Sequence, residues 1–441
     1  MANFTLAELP PLPSYTLTAR PSMITGVPDV VLQLIAPVIA YWVVSLFFHI
    51  LDAYDLCSQY RLHTPAEVLK RNHVTRYEVL RDVILQQIIQ TTFGLALAYF
   101  DPVETVGREE HDIACWAQRL RVAQRYIPSL LSVVGLDAMA LGKQWHDTLP
   151  QLAGAVSGGL YATESFASWE ASVARFIYWI GIPVIQFTVA IFIVDTWQYF
   201  LHRAMHMNKF LYTTLHSRHH RLYVPYAFGA LYNHPLEGFL LDTLGTGLAY
   251  LVTGMTVRQG MWFFTCSTIK TVDDHCGYAF PWDPLQHITS NNATYHDVHH
   301  QSWGIKTNFS QPFFTFWDRI LNTAWTGGDV SSRYERDRIS AQRKVDADAA
   351  IAKPSVVNSP EINLEQAKQQ AQASQRQVLD DKQYGGARIL LEEEKEEQEA
   401  KQSLRRSTRR KSGFDAKSIS DRVAGSLHSR STAILHADGM H

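Results

Sequence analysis

The chain has 441 residues, 46% hydrophobic and 19% charged, with 40 Lys and Arg against 42 Asp and Glu for a net charge of −2. That balance argues against a nucleic-acid binder driven by a basic surface. Four cysteines (Cys57, Cys115, Cys266, Cys276) without CxxC spacing indicate neither a disulfide framework nor a zinc ribbon.

The first 28 residues form an N-terminal segment with no basic start and following apolar run, so they do not read as a cleaved signal peptide. Residues 29–51 (DVVLQLIAPVIAYWVVSLFFHIL) hold no Lys or Arg, and their length suits a hydrocarbon core of roughly 30 Å. Residues 82–100 are a second candidate span, weakened by Gln86, Gln87 and Gln90. Residues 176–200 are a third, apolar apart from Gln186, Asp195 and Gln198. Residues 236–269 contain Gly245, Gly247, Gly254 and Arg258, which suits a hairpin or re-entrant unit better than a straight span. Arg61, Lys70, Arg71, Arg76 and Arg81 favour the cytosol for the 52–81 connection. Three spans then put 101–170 outside and everything from His202 onward in the cytosol.

Eleven of the 19 histidines lie between His202 and His300. They occur as HRAMH (His202, His206), HSRHH (His216, His219, His220), NHPLE (His234), DDHCGY (His275) and HDVHH (His296, His299, His300), with His287 alone between. On a helix, residues i and i+4 share a face, so each cluster can aim its imidazoles at one point. Three converging clusters supply eight imidazoles, more than one ion takes, and the count points to two metals. Neutral imidazoles suit zinc, copper, iron or nickel. A closed zinc site needs four ligands, whereas many neutral ligands with room for an exogenous one suit iron and oxygen activation.

Carboxylates that could accept the second ring N–H of a ligand are Asp195, two helical turns before His202, and Glu237, Asp273, Asp274 and Asp297. Tyr223, Tyr226 and Asn233 are candidates to line an entrance. After Gly328 the composition changes: all eleven tryptophans lie between Trp42 and Trp325, and long polar tracts follow, ending in RRSTRRKS from Arg405. Such a segment buries too little apolar surface to fold alone and reads as a disordered tail.

HRAMH, HSRHH and HDVHH at these spacings resemble the fatty acid hydroxylase superfamily of membrane di-iron oxygenases. NHPLE and VDDHCGY look like the branch holding sterol C4-methyl oxidases, sterol C5-desaturases and sphingolipid C4-hydroxylases, and NFSQPFFTFWDRILNT (308–323) is similar to the family's ending. The resemblance covers about residues 175–325, and the whole is most similar to the fungal sphingolipid C4-hydroxylases. It implies hydroxylation at C4 of sphinganine or dihydroceramide, with two iron ions, O2, and electrons from NAD(P)H through a reductase and cytochrome b5. It also implies a multi-pass endoplasmic-reticulum enzyme whose active site faces the cytosol. The family's metal ligands carry over by motif to His202, His206, His216, His219, His220, His296, His299 and His300, with His234 and His275 completing ten. Fatty acid 2-hydroxylases have a further HxxxH at the fourth motif, whereas the position four after His275 is Ala279, which favours the sterol and sphingoid branch.

The expected architecture is all-α: membrane helices capped by a cytosolic, helical, histidine-rich di-metal domain, then a disordered tail. The expected divisions are 1–28, an N-terminal membrane region 29–174, a catalytic domain 175–327 and the tail 328–441. A sterol C4-methyl oxidase or C5-desaturase is the alternative, because the same core can remove a second hydrogen instead of delivering oxygen. A membrane metal transporter is the distant one, since transporters place ligands within spans and these clusters follow the spans among Arg203, Lys209, Arg218 and Arg221.

Overall fold

The computed structural model describes residues 9–100, 102–159 and 165–352. Nearly all of them form one compact unit; Gln301–Ile305 is not part of it, and is a short turn closed by the Gly304 N–H on the Gln301 carbonyl at 2.8 Å. The architecture is almost wholly helical. The one paired strand among the described residues is two residues long, Thr18–Ala19 against Thr105–Val106, antiparallel with Thr18 opposite Val106.

Helix α1 (Asp29–Ala53) starts directly after Pro28, with Asp29 in its positive first turn. Helices α2 (Pro65–Arg71) and α3 (Arg76–Ala98) each begin with a reciprocal capping box, Thr64 with Glu67 and Thr75 with Glu78. Helix α4 (Glu109–Gln124) and three short helices between 127 and 156 follow, and α4 packs on the start of α5 (Ser168–Met207). Pro183 inside α5 lacks the N–H of a regular helix, and the widened turn at Ile177–Gly181 lies where its ring meets the preceding backbone.

Residues 236–269 fold as the expected hairpin. Helix α6 (Gly245–Thr253) ends at Gly254, whose φ of +63° is left-handed and disfavoured for any side chain. Thr256 then caps α7 (Val257–Asp274) by accepting the Gln259 N–H. α7 packs along α1, and α6 along α5. The chain continues through α8 (Ala293–His300), α9 (Phe316–Ile320) and α10 (Ser331–Ala352). α10 lies within the segment expected to be a disordered tail; it packs on α2. The rest of that expectation, 353–441, falls outside the described residues.

Two helices, α1 and α5, are long and apolar enough to cross a membrane. Only 17% and 11% of their apolar windows are buried, and Ile39, Val43, Phe47, Ile185 and Phe192 point outward and exposed, which makes both helices candidate membrane spans. α3 is not of that kind. Its Gln86 and Gln87 are buried inside the bundle, and Gln87 Oε1 accepts the Trp42 indole N–H at 2.9 Å.

Candidate metal centre

α5 runs beyond its apolar part and carries His202 and His206 on its last two turns, both buried. HSRHH does not form a regular α-helix: His216–Arg221 is a tight 3₁₀ turn, in which residues three apart eclipse. His216 and His219 accordingly stack, with ring centroids 5.6 Å apart. HDVHH closes α8, and His275 ends α7.

Nine imidazoles gather in two groups, each with its ligand atoms within 4.8 Å of one another: His202, His206, His216, His220 and His299, and His219, His275, His296 and His300. The division follows a rule. Each HxxHH motif sends its first and last histidines, four apart, to one group, and its middle histidine to the other. His216 and His220 join the first group while His219 joins the second; His296 and His300 join the second while His299 joins the first.

The tautomers are fixed by what lies behind the rings. The Nδ1 of His202 faces the Phe309 carbonyl at 2.8 Å, that of His219 the Tyr232 carbonyl at 3.1 Å and that of His275 the Thr271 carbonyl at 2.8 Å. His299 and His300 meet the carbonyls of Thr307 and Leu222 at 2.7 and 2.9 Å, and His216 meets Glu237 Oε1 at 2.5 Å. A carbonyl only accepts, so Nδ1 carries the proton and Nε2 presents a lone pair. The Nε2 atoms converge: His202 on His216 at 3.0 Å, where both present lone pairs, then His206 on His202 at 3.1 Å, His220 on His206 at 3.2 Å, and His296 on His275 at 3.0 Å. Facing lone pairs repel unless a cation lies between them. Nitrogens at right angles around an ion about 2.1 Å from each stand about 3.0 Å apart, so this donor set fits a pair of metal ions.

Burial keeps the clustered imidazoles neutral. It pushes His216 down to about 3, and His219 to about 4 with the neighbouring His216 adding to the shift. Burial raises Glu237 to about 7, against the opposing effect of His219.

His234 belongs to neither group. It is half-buried and caps the Pro235–Gly238 turn, its Nδ1 accepting the Leu236 N–H at 3.2 Å while Glu237 faces its backbone N–H at 3.4 Å. The NHPLE spacing is thus a helix start, and nine rather than ten histidines converge. His287 lies apart, its Nε2 on the Pro281 carbonyl at 3.0 Å.

Among the candidate carboxylates, Glu237 alone meets a ligand ring. Asp195 instead accepts the N–H groups of Phe313 and Phe314, and Asp274 pairs with Lys270 and Asn291. Asp273 accepts from Gln286 at 3.4 Å. Asp297 turns away from the clustered histidines to His63 at 2.9 Å, and His63 also meets Glu67 at 3.0 Å. Asn233 lines the chamber beside the histidines. Tyr226 packs on Phe228 and Tyr223 on His73.

The chamber continues into an apolar cavity of about 310 Å³ between α1, α3, α5, α6 and α7. Gln198, Asp242, Thr271 and Pro312 line both spaces. Sequence reasoning missed Asp242, Asn291 and His63; only His63 carried a signal, four residues before Glu67 in a capping box.

The sequence profile described as fatty acid hydroxylase matches residues 187–323. The chain is 44% identical over 324 residues to sphingolipid C4-hydroxylase SUR2 of Saccharomyces cerevisiae, covering 74% of this chain and 80% of that protein. It is 43% identical to sphingolipid C4-hydroxylase sur2 of Schizosaccharomyces pombe, over 68% of this chain and 90% of that protein. Sphinganine C4-monooxygenase 1 of Arabidopsis thaliana is 39% identical over 68% of this chain and 88% of its own length. No solved structure matches the chain significantly.

Proposed function

The chain belongs to the fatty acid hydroxylase family and is an oxidoreductase, and from that premise we propose that it hydroxylates C4 of sphinganine or dihydroceramide to give the phyto form. The observation that carries this reading is the two groups of buried imidazoles, their ring nitrogens converging, beside an apolar cavity. His202, His206, His216, His220 and His299 would hold one iron ion, and His219, His275, His296 and His300 the other. Iron held there supplies activation of O2, with two electrons from NAD(P)H through a reductase and cytochrome b5. One oxygen atom would enter the C–H bond, and the other would leave as water on taking up the two electrons and two protons.

The chain's own residues do the positioning. The backbone carbonyls behind His202, His219, His275, His299 and His300 fix each ring, and Glu237 fixes His216. The apolar walls hold an unbranched chain and keep water from the reacting carbon. Their lining comes from Leu34, Val38 and Phe93 as well as Val194, Leu251 and Phe264. The membrane region 29–174 therefore contributes to substrate binding alongside the catalytic segment 175–327. The names of the relatives favour a sphingoid substrate over C4-methyl sterol oxidation or C5-desaturation. The exposed apolar helices favour a membrane enzyme, which we place in the endoplasmic reticulum as a multi-pass protein. The basic 52–81 connection touches the histidine-bearing segment through His63 on Asp297 and Arg61 beside Tyr278, which favours a site on the cytosolic side.

Lipid analysis of cells lacking the protein tests the reading. Phyto-sphingoid bases disappear in the deletion, return with the wild type, and do not return with His219→Ala. Unchanged phyto-sphingoid bases in the deletion defeat it, and altered C4-methyl sterols would reassign the substrate.

A further inference from the structure

Buried carboxylates around the metal centre are partnered, with one exception. Asp195, Asp274, Asp297 and Glu237 each bind an N–H, a cation or an imidazole. Asp242, partly buried where the apolar cavity meets the metal chamber, has a side chain with no hydrogen bond or ion pair among the described residues. The charged group acting on it is Glu237, another carboxylate. A carboxylate withdrawn from water without a cation is costly.

Two neighbours in the lining share this lack. Gln198 is 4% exposed, lines both spaces, and its amide makes no hydrogen bond among the described residues. Asn291 is fully buried; its Nδ2 donates to Asp274 Oδ2 at 3.0 Å and the Pro312 carbonyl at 3.2 Å, while its Oδ1 has no partner. The chamber thus presents a carboxylate and an amide oxygen that only accept, and a ligand that satisfies both must bring donors and a positive charge.

We infer that Asp242, with Gln198 and Asn291, forms a head-group site that selects a protonated primary amine flanked by hydroxyls, the free long-chain base rather than its N-acyl form. The inference rests on the C4-hydroxylase reading and sharpens it. In a long-chain base the C2 ammonium lies two carbons from C4 and the hydroxyls of C1 and C3 flank it, so a substrate with C4 at the metals brings all three donors into this chamber. Acylation removes the charge that pairs with Asp242 and adds a second chain.

The test uses the full-length, iron-loaded protein in lipid nanodiscs with its electron donors. Wild type is expected to turn over sphinganine with kcat/KM at least about tenfold above N-acetylsphinganine, the scale of a desolvated charge pair. Asp242→Asn is expected to erase most of that ratio through the KM for sphinganine, with iron content retained. A wild-type preference for the amide, or an unchanged ratio in an iron-replete variant, overturns the inference. Titration of the wild type, read by thermal stabilisation, needs neither turnover nor a folded variant. Octadecylammonium is expected to bind at least about tenfold more tightly than octadecanol, and equal affinities overturn the head-group site. Loss of 4-hydroxylation of both substrates by the loaded wild type, with the ammonium preference intact, defeats the C4-hydroxylase reading alone.

Discussion

Asp195 on α5 accepts the backbone N–H of Phe313 at 3.0 Å through one oxygen, and that of Phe314 at 2.9 Å through the other. The bond ties the helix that carries His202 and His206 to the segment 308–315, and Phe309 in that segment supplies the carbonyl behind His202. Asp195→Asn keeps the shape but turns one acceptor into a donor facing an N–H. Leaving a buried N–H unpaired costs about 1–3 kcal/mol. Thermal unfolding of the iron-loaded variant should show a melting point lower by several degrees, with iron still bound. An unchanged melting point would remove the role given to this bond.

The sequence makes the convergence of the clusters legible, because HxxxH and HxxHH spacings follow from helix geometry alone. It does not show how the clusters divide. His216 and His219 are neighbours in HSRHH, yet they join different groups, since the 3₁₀ turn and its approach to α8 decide which ring meets which. The family resemblance makes His234 a ligand, but Pro235 and Glu237 after it form a helix start that its ring caps. Asp195 stands out as a charge in an apolar run, although its partners, Phe313 and Phe314, lie more than a hundred residues away in a loop with no periodicity. The cavity was hidden for a similar reason: α1 and α3 supply one wall, and nothing local in their sequence marks a residue as lining rather than lipid-facing. α10 has too little apolar surface to be called from composition, and its anchoring comes from Arg71 on Asp337 and Tyr334 on Asp297.

The division into two groups predicts that ligand loss is site-specific. His275→Ala removes a ligand from the four-histidine group and His202→Ala one from the five-histidine group. Each purified variant should hold about one iron per chain where the wild type holds about two, because the remaining group keeps a complete imidazole set. His234→Ala should keep both ions and lose about 1 kcal/mol of stability through its cap. Elemental analysis of protein prepared with iron distinguishes these; parallel loss of both ions in all three variants would show a single cooperative site.

The cavity predicts a dependence on chain length. Val38 lines it from α1, while Leu251 of α6 is an exposed residue at its edge. Val38→Trp fills part of a space of about 310 Å³, so long chains should suffer more than short ones. A drop in kcat/KM of about tenfold for an eighteen-carbon base, with a much smaller drop for a twelve-carbon base, is the expected pattern at roughly 0.8 kcal/mol per methylene displaced. Equal losses for both lengths would place the chain elsewhere.

His63 predicts how stability responds to pH. It lies between Asp297 and Glu67, with contacts of 2.9 and 3.0 Å, and is buried. Burial opposes its charge, but the two carboxylates outweigh that and raise its pKa from 6.5 to about 9. A raised folded pKa means the folded chain holds the proton more tightly than the unfolded chain. The stabilisation is therefore complete below about 6.5 and is lost as pH rises towards 9, with an upper bound of roughly 3 kcal/mol at about 1.4 kcal/mol per unit. Melting temperatures of the wild type should fall across that window. His63→Gln removes the charge, so its melting temperature should be lower at pH 6 and nearly flat from pH 6.5 to 9. A variant that keeps the wild-type slope would assign the titration to another group.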